Sequence, residues 1–164
     1  MELAGMQQAV TNARLLLQAF RRTDSPIVHV RHVSMGPNAS FFLPETQGTR
    51  IHKSVIPLES ESLVTKHYPN GFRDTHLLEI LNKENMTHLV FCGAMSHMCI
   101  DATARAGFDL GFNCTVAEDA CATRDLRFKD TTIQASAVHA SFMAALSGTY
   151  ATVLPTEQIL KELK

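Results

Sequence analysis

Gly93-Ala94-Met95-Ser96-His97-Met98-Cys99-Ile100-Asp101-Ala102-Thr103-Ala104-Arg105 is the stretch on which the chain turns. Just before it, Thr87-His88-Leu89-Val90-Phe91-Cys92 is an apolar, β-favouring run that stops at Gly93. A helical pattern begins near Met98, so the spacing predicts that Cys99 stands where a strand end becomes a helix. Backbone N–H groups at a helix N-terminus lack intrahelical partners and carry partial positive charge. Such a position favours thiolate over thiol and can hold a developing oxyanion. One turn of chain therefore offers a nucleophile and an anion site together.

Working outward, the pattern alternates between helices and strands. Met6 to Arg22 places Met6, Val10, Ala13, Leu16, Leu17 and Phe20 at helical spacing. Thr23-Asp24-Ser25-Pro26 breaks that helix, and 27–33 reads as a strand. His29 and His32 on it face opposite sides and cannot jointly grip a metal. Residues 34–56 are irregular, with Gly36, Pro37, Pro44 and Gly48 set among Phe41, Phe42 and Leu43. A loop of that length is expected to be a lid or an interface. Ser62 to Lys66 is a short strand ending in a cation, followed by turn chemistry in His67-Tyr68-Pro69-Asn70-Gly71-Phe72. Residues 74–83 read as a helix with Asp74 as N-cap.

Beyond the central motif, Asp101 and Arg105 form an i, i+4 pair, while Cys99, Ala102, Thr103 and Ala106 make a face of small residues that lets the helix sit close to the sheet. Asn113 to Ala117 reads as the next strand, Glu118 to Thr123 as the loop at its tip, 131–147 as an Ala-rich helix, 151–154 as a last strand and 157–163 as a closing helix. Cys92, Cys114 and Cys121 are expected to be buried free thiols. The alternation predicts an α/β fold of three layers, a parallel sheet with helices on both faces. Ligands bind beyond the carboxyl ends of strands in such sheets. That places Lys66, Gly93 to Cys99 and Asp119 where they can converge on one pocket.

The 164 residues are 45% hydrophobic, enough for one domain spanning 1–164 with a real core. A formal net charge of −1 and no basic cluster beyond Arg21-Arg22 argue against nucleic acid as a partner. No apolar run approaches a membrane span and no leader pattern opens the chain, so a cytoplasmic protein with no membrane partner is expected.

These segments together resemble the isochorismatase-like cysteine hydrolases, the superfamily that includes nicotinamidases, carbamoylsarcosine amidohydrolases and ureidoacrylate amidohydrolases. Gly93 to Arg105 is similar to the family's nucleophile segment. Lys66 with Asn70-Gly71-Phe72 resembles its catalytic lysine and Asn-x-Phe turn, and Asp119-Ala120-Cys121-Ala122 resembles the loop after its next strand. The resemblance implies Cys99 as nucleophile and Lys66 as catalytic partner, with a cis peptide between Ala94 and Met95 aiming backbone N–H groups at the oxyanion. It further implies a small-molecule substrate contacted by Phe42, Phe72 and His97, no cofactor, no metal, and a homo-oligomer, dimer or tetramer. The reaction it implies is attack on an amide, carbamoyl or ureido carbonyl, loss of ammonia or an amine, and release of the acid by water. Two alternatives stand beside it: a catalytically impaired binding protein, and ether hydrolysis of isochorismate-like substrates without a cysteine. The family's triad also needs an aspartate at the end of a strand ahead of the first helix. Met1 to Gly5 already lead into that helix, so an N-terminally short chain without that strand and aspartate is expected.

Overall fold

The computed structural model describes residues 3–36 and 39–163. Pro37, named above in the irregular loop, and the lead-in residues Met1 and Glu2 lie outside the described residues. In chain order the elements are α1 (Met6–Arg22), β1 (Val28–His32), β2 (Ser62–Lys66), α2 (Leu77–Lys83), β3 (His88–Ala94), a π-helical turn (Ser96–Ile100), α3 (Asp101–Asp109) and β4 (Asn113–Ala122). They continue with β5 (Leu126–Phe128), β6 (Thr131–Ile133), α4 (Ala135–Leu146), β7 (Thr152–Leu154) and α5 (Thr156–Glu162).

The strands of the layered core are parallel, as the alternation requires, but they form two sheets rather than one. β1 pairs with β2, and β3, β4 and β7 form a second sheet in the order β3-β4-β7. Helices cover both faces of the larger sheet. On one face Leu16 of α1 and Ile159 of α5 pack with Ala117 and Ala120 of β4. On the other, Leu77 and Leu81 of α2, Ile100 and Ala104 beside α3, and Met143 and Leu146 of α4 enclose Cys114, Val116 and Cys121. Val64 of β2 belongs to that same cluster, so the two sheets share a core although no described strand joins them.

A small residue sets the distance between α3 and the sheet, but it is Gly107 and not the Cys99, Ala102, Thr103 and Ala106 face. A Cβ on Gly107 would stand 3.1 Å from the Cys114 sulfur and 3.4 Å from the Phe91 ring, tighter than ordinary packing. A polar clamp ties the small sheet to α1. Glu61, just ahead of β2, accepts from Arg21 Nε at 2.6 Å and from an Arg21 terminal nitrogen at 2.8 Å, and its carboxylate also meets His29 Nε2 at 2.8 Å and the Leu58 N–H at 2.9 Å.

Several expectations are corrected. Asp74 is not a cap: it sits in a turn at φ 54°, the helix starts at Leu77, and the Thr75 hydroxyl accepts from the Leu77 N–H at 3.3 Å. β4 runs on to Ala122 instead of ending at Ala117, because its tip keeps pairing with β3 after a register shift, Phe91 opposite Val116 but Gly93 opposite Cys121. Thr131 to Ile133 belong to an antiparallel hairpin, β5-β6, and not to the helix, which starts at Ala135. Three β-favouring residues in a row outweigh the helical spacing there. Cys92 is exposed, unlike Cys114 and Cys121, and stands where β3 and β4 shift register, although the packing around its sulfur still pushes the thiol up to about 11.

Four bonds hold the Glu61 carboxyl at a pKa of about 2, with the Arg21 hydrogen bonds the largest cause and burial opposing them. The ordinary value is 4.5, so the stabilisation is complete above about pH 4.5 and fades as pH falls toward 2. Glu61→Gln is expected to lower stability by about 1–3 kcal/mol at neutral pH. Urea unfolding of both proteins should show that gap closing as pH drops to about 3; a gap of constant size would show that the charge is not its origin.

Candidate active site

Lys66 ends β2 with only 4% of its surface exposed. Desolvating an ammonium is costly unless its hydrogens find acceptors. All three directions are used: Nζ donates to the Tyr68 carbonyl at 2.8 Å and to Cys99 Sγ at 3.1 Å, and lies 3.4 Å from His32 Nδ1. The register explains the last contact, because His32 and Lys66 are partners at the ends of β1 and β2. Burial, with the nearby charges of Lys66 and His67, pushes the His32 imidazole below its ordinary pKa. His32 is thus a neutral ring whose Nδ1 accepts from the lysine.

The turn that follows Lys66 aims its ammonium. Asn70 Oδ1 accepts from the Phe72 N–H at 2.9 Å, closing the turn, and the Gly71 N–H donates to Thr103 Oγ1 of α3 at 3.0 Å. Gly71 permits that approach, since a Cβ there would lie 3.1 Å from Thr103 Cγ2. The Tyr68 carbonyl is held between these bonds and the strand.

Cys99 arrives from the other sheet. β3 ends at Ala94, the Ala94–Met95 peptide is cis, and the Met95 carbonyl accepts from the Met98 N–H at 3.0 Å and the Ile100 N–H at 3.3 Å. These bonds close the π-helical turn that carries Cys99, and α3 follows directly. Cys99 is therefore in the turn between the end of β3 and the start of α3, at the strand-to-helix passage the sequence predicts. It is half-buried, whereas Cys114 and Cys121 are buried. Burial pushes the Cys92 and Cys114 thiols up to about 11 and raises Cys121 further still.

The remaining expected residues separate. Phe42, at φ 55°, stands with its ring 5.6 Å from that of His32 and 5.2 Å from Phe41, next to the lysine's histidine neighbour. Phe72 turns into the core instead, stacking on Phe112 at 6.2 Å, because its N–H is fixed by Asn70 and the apolar cluster lies behind it. His97 Nδ1 bonds the Thr123 hydroxyl and its ring meets Phe142 edge-on, so its side chain ties the turn to β4 and α4. Asp119 is drawn away as well: its Oδ1 accepts from the N–H and hydroxyl of Thr156 and caps α5. Sequence reasoning missed His32, although its place at a strand end beside the strand of Lys66 was the available signal. Among the described residues, no three His, Cys, Asp or Glu side chains are grouped to hold a metal ion, and no helix is long and apolar enough to cross a membrane.

A cysteine in a turn after one strand and a buried lysine at the end of another thus bring a sulfur and an ammonium together at the strand ends. The Isochorismatase domain family matches residues 1–154, and the chain belongs to that family of hydrolases. The isochorismatase family protein YddQ of Bacillus subtilis is 50% identical over 161 residues, covering 98% of this chain and 89% of that protein. An isochorismatase-type hydrolase structure from Oleispira antarctica superposes with a TM-score of 0.93 at 47% identity, covering 97% of this chain and 84% of that one. Ureidoacrylate amidohydrolase RutB of Klebsiella pneumoniae is 34% identical over 86 residues, 47% of this chain and 36% of that enzyme.

Peptide-mapped iodoacetamide labelling of the native protein should modify Cys99 ahead of Cys92, whose thiol burial pushes up to about 11, while Cys114 and Cys121 stay protected until unfolding. Lys66→Met should slow labelling of Cys99 by about tenfold and leave Cys92 unchanged; equal slowing at both would point to a global change.

Proposed function

We propose that this hydrolase cleaves a C–N bond of a small molecule, an amide, carbamoyl or ureido group, through a thioester on Cys99. The single observation that carries the reading is the 3.1 Å contact between the buried Lys66 ammonium and the Cys99 sulfur. A cation so placed stabilises negative charge on sulfur and is the nearest proton donor to a leaving amine. The sulfur attacks the carbonyl carbon, and N–H groups of the 94–99 turn bind the oxyanion. Collapse breaks the C–N bond, ammonia or an amine leaves with a proton, and water hydrolyses the thioester to the acid and the free cysteine. The likeness to an amidohydrolase supports the C–N class.

A serine mechanism fits less well. Ser96 has the order serine, histidine, carboxylate around it, but its surface is entirely buried, so no substrate carbon reaches its oxygen. A second reading, a ligand-binding member without turnover, is favoured by one observation: no carboxylate is among the hydrogen-bond partners of Lys66 in the described residues. Ether hydrolysis that does not use the cysteine remains a third class. We also take the protein to act in the cytoplasm as a homo-oligomer, which the exposed Phe41, Phe42 and Leu43 support.

Turnover of a panel of primary amides, carbamoyl compounds and ureido acids separates these readings. Cys99→Ala is expected to lower hydrolysis by about a thousandfold or more with the thermal midpoint little changed. A mass increment on Cys99 during turnover should identify the thioester. Turnover surviving in Cys99→Ala supports the ether chemistry, and binding without product in the unmodified protein supports the ligand-binding reading.

A further inference from the structure

The turn that bears Cys99 is gripped from the side opposite Lys66. Ser96, its first residue, is fully buried, and the Ser96 hydroxyl lies 2.9 Å from His139 Nδ1 on α4 and 3.4 Å from the carbonyl of Ala122, the last residue of β4. His139 Nε2 lies 3.7 Å from Glu118 Oε2. His139 and Glu118 border a cavity of about 280 Å³ with Gln8, Thr123 and Ser136, so the outer end of this chain of groups reaches water while its inner end does not. With His139 neutral and its proton on Nε2, the Ser96 hydroxyl donates to Nδ1. With His139 protonated, Nδ1–H donates to Ser96 and the hydroxyl turns to the Ala122 carbonyl. In both states the buried hydroxyl stays bonded, so the turn remains tied to α4.

We propose that His139 is a positioning residue for this site: acting through the Ser96 hydroxyl, it fixes the turn whose N–H groups receive the oxyanion and whose Cys99 attacks. This rests on the reading of Cys99 as nucleophile. His139 touches neither the sulfur nor Lys66 in any recorded contact. Its effect is exerted through the position of backbone donors, where displacements of about 1 Å are felt in rate.

Two probes of Cys99 divide that role from a general loss of structure. Alkylation by iodoacetamide is a displacement at saturated carbon and forms no oxyanion. Acetylation by p-nitrophenyl acetate passes through a tetrahedral oxyanion and needs the turn's donors in place. Both adducts are followed at Cys99 by peptide mass spectrometry. His139→Ala should lower the acetylation rate by about tenfold or more while alkylation changes less than about threefold. His139→Asn should recover most of the loss, because its amide places a polar atom at the same distance from Cβ as Nδ1. Ser96→Ala cuts the link from its other end and should produce the same selective loss, with little added in the double variant with His139→Ala.

Parallel loss of both rates, no loss of either, or an Asn variant no better than Ala would overturn the proposal. If His139→Ala does not fold, His139→Asn and Ser96→Ala decide it: acetylation at the unmodified rate in Ser96→Ala overturns it. A Cys99→Ala protein that still gives the p-nitrophenol burst would instead overturn the nucleophile reading.

Discussion

A buried ammonium is the constraint from which the site follows. Lys66 has left water, and a lone charge in that position would be untenable without acceptors for its hydrogens. The acceptors come from three directions: a carbonyl in the following turn, a histidine at the end of the neighbouring strand, and a sulfur in a turn of the other sheet. The requirement explains local features that otherwise look incidental. The 68–72 turn must close tightly and dock on α3 for Tyr68 to point its carbonyl at Nζ, which asks for Asn70, Gly71 and Thr103. His32 must be neutral for Nδ1 to accept, and burial beside a cation keeps it so.

The same constraint couples the two sheets. β1 and β2 share no described ladder with β3, β4 and β7, yet Lys66 and His32 belong to one sheet and Cys99 to the other. What aligns them is side-chain packing and a few polar bonds: Val64 in the common core, Gly71 on Thr103, and Arg21 of α1 on Glu61. Non-directional burial brings the halves together, and the directional bonds set their register.

Much of this was legible in the sequence. The helix from Met6 to Arg22, the strand ending at Lys66 and the strand-to-turn passage into Cys99 were readable because period and boundary signals agree there. Strand ends then bring Lys66 and Cys99 together whatever lies between them. Legibility fails where tertiary partners decide. Asp119 looks like a neighbour of Lys66 and Cys99 until its carboxylate is seen bonded to Thr156 at the start of α5. Phe72 gives no local sign of Phe112, 40 positions on, whose ring stacks on it. Cys92 lies in as apolar a run as Cys114, but it stands at the register shift between β3 and β4, which no local signal announces. His139, 43 positions from Ser96, carries no local signal at all.

The turn at Cys99 is held from two sides by different chemistry. On one side it meets a charge whose own position depends on the smaller sheet; on the other, Ser96 and His97 bind it to the tip of β4 and to α4 by side-chain hydrogen bonds. The two grips do different work. The lysine contact sets a cation against the sulfur, and the opposite grip ties the start of the turn to the end of β4 and to α4. The register shift in β4 belongs to the second: by carrying the strand on to Ala122 opposite Ala94, it delivers both the Ala122 carbonyl and Thr123 to the turn. A strand that stopped at Ala117 would leave Ser96 and His97 without the Ala122 and Thr123 partners that tie the turn to the end of β4.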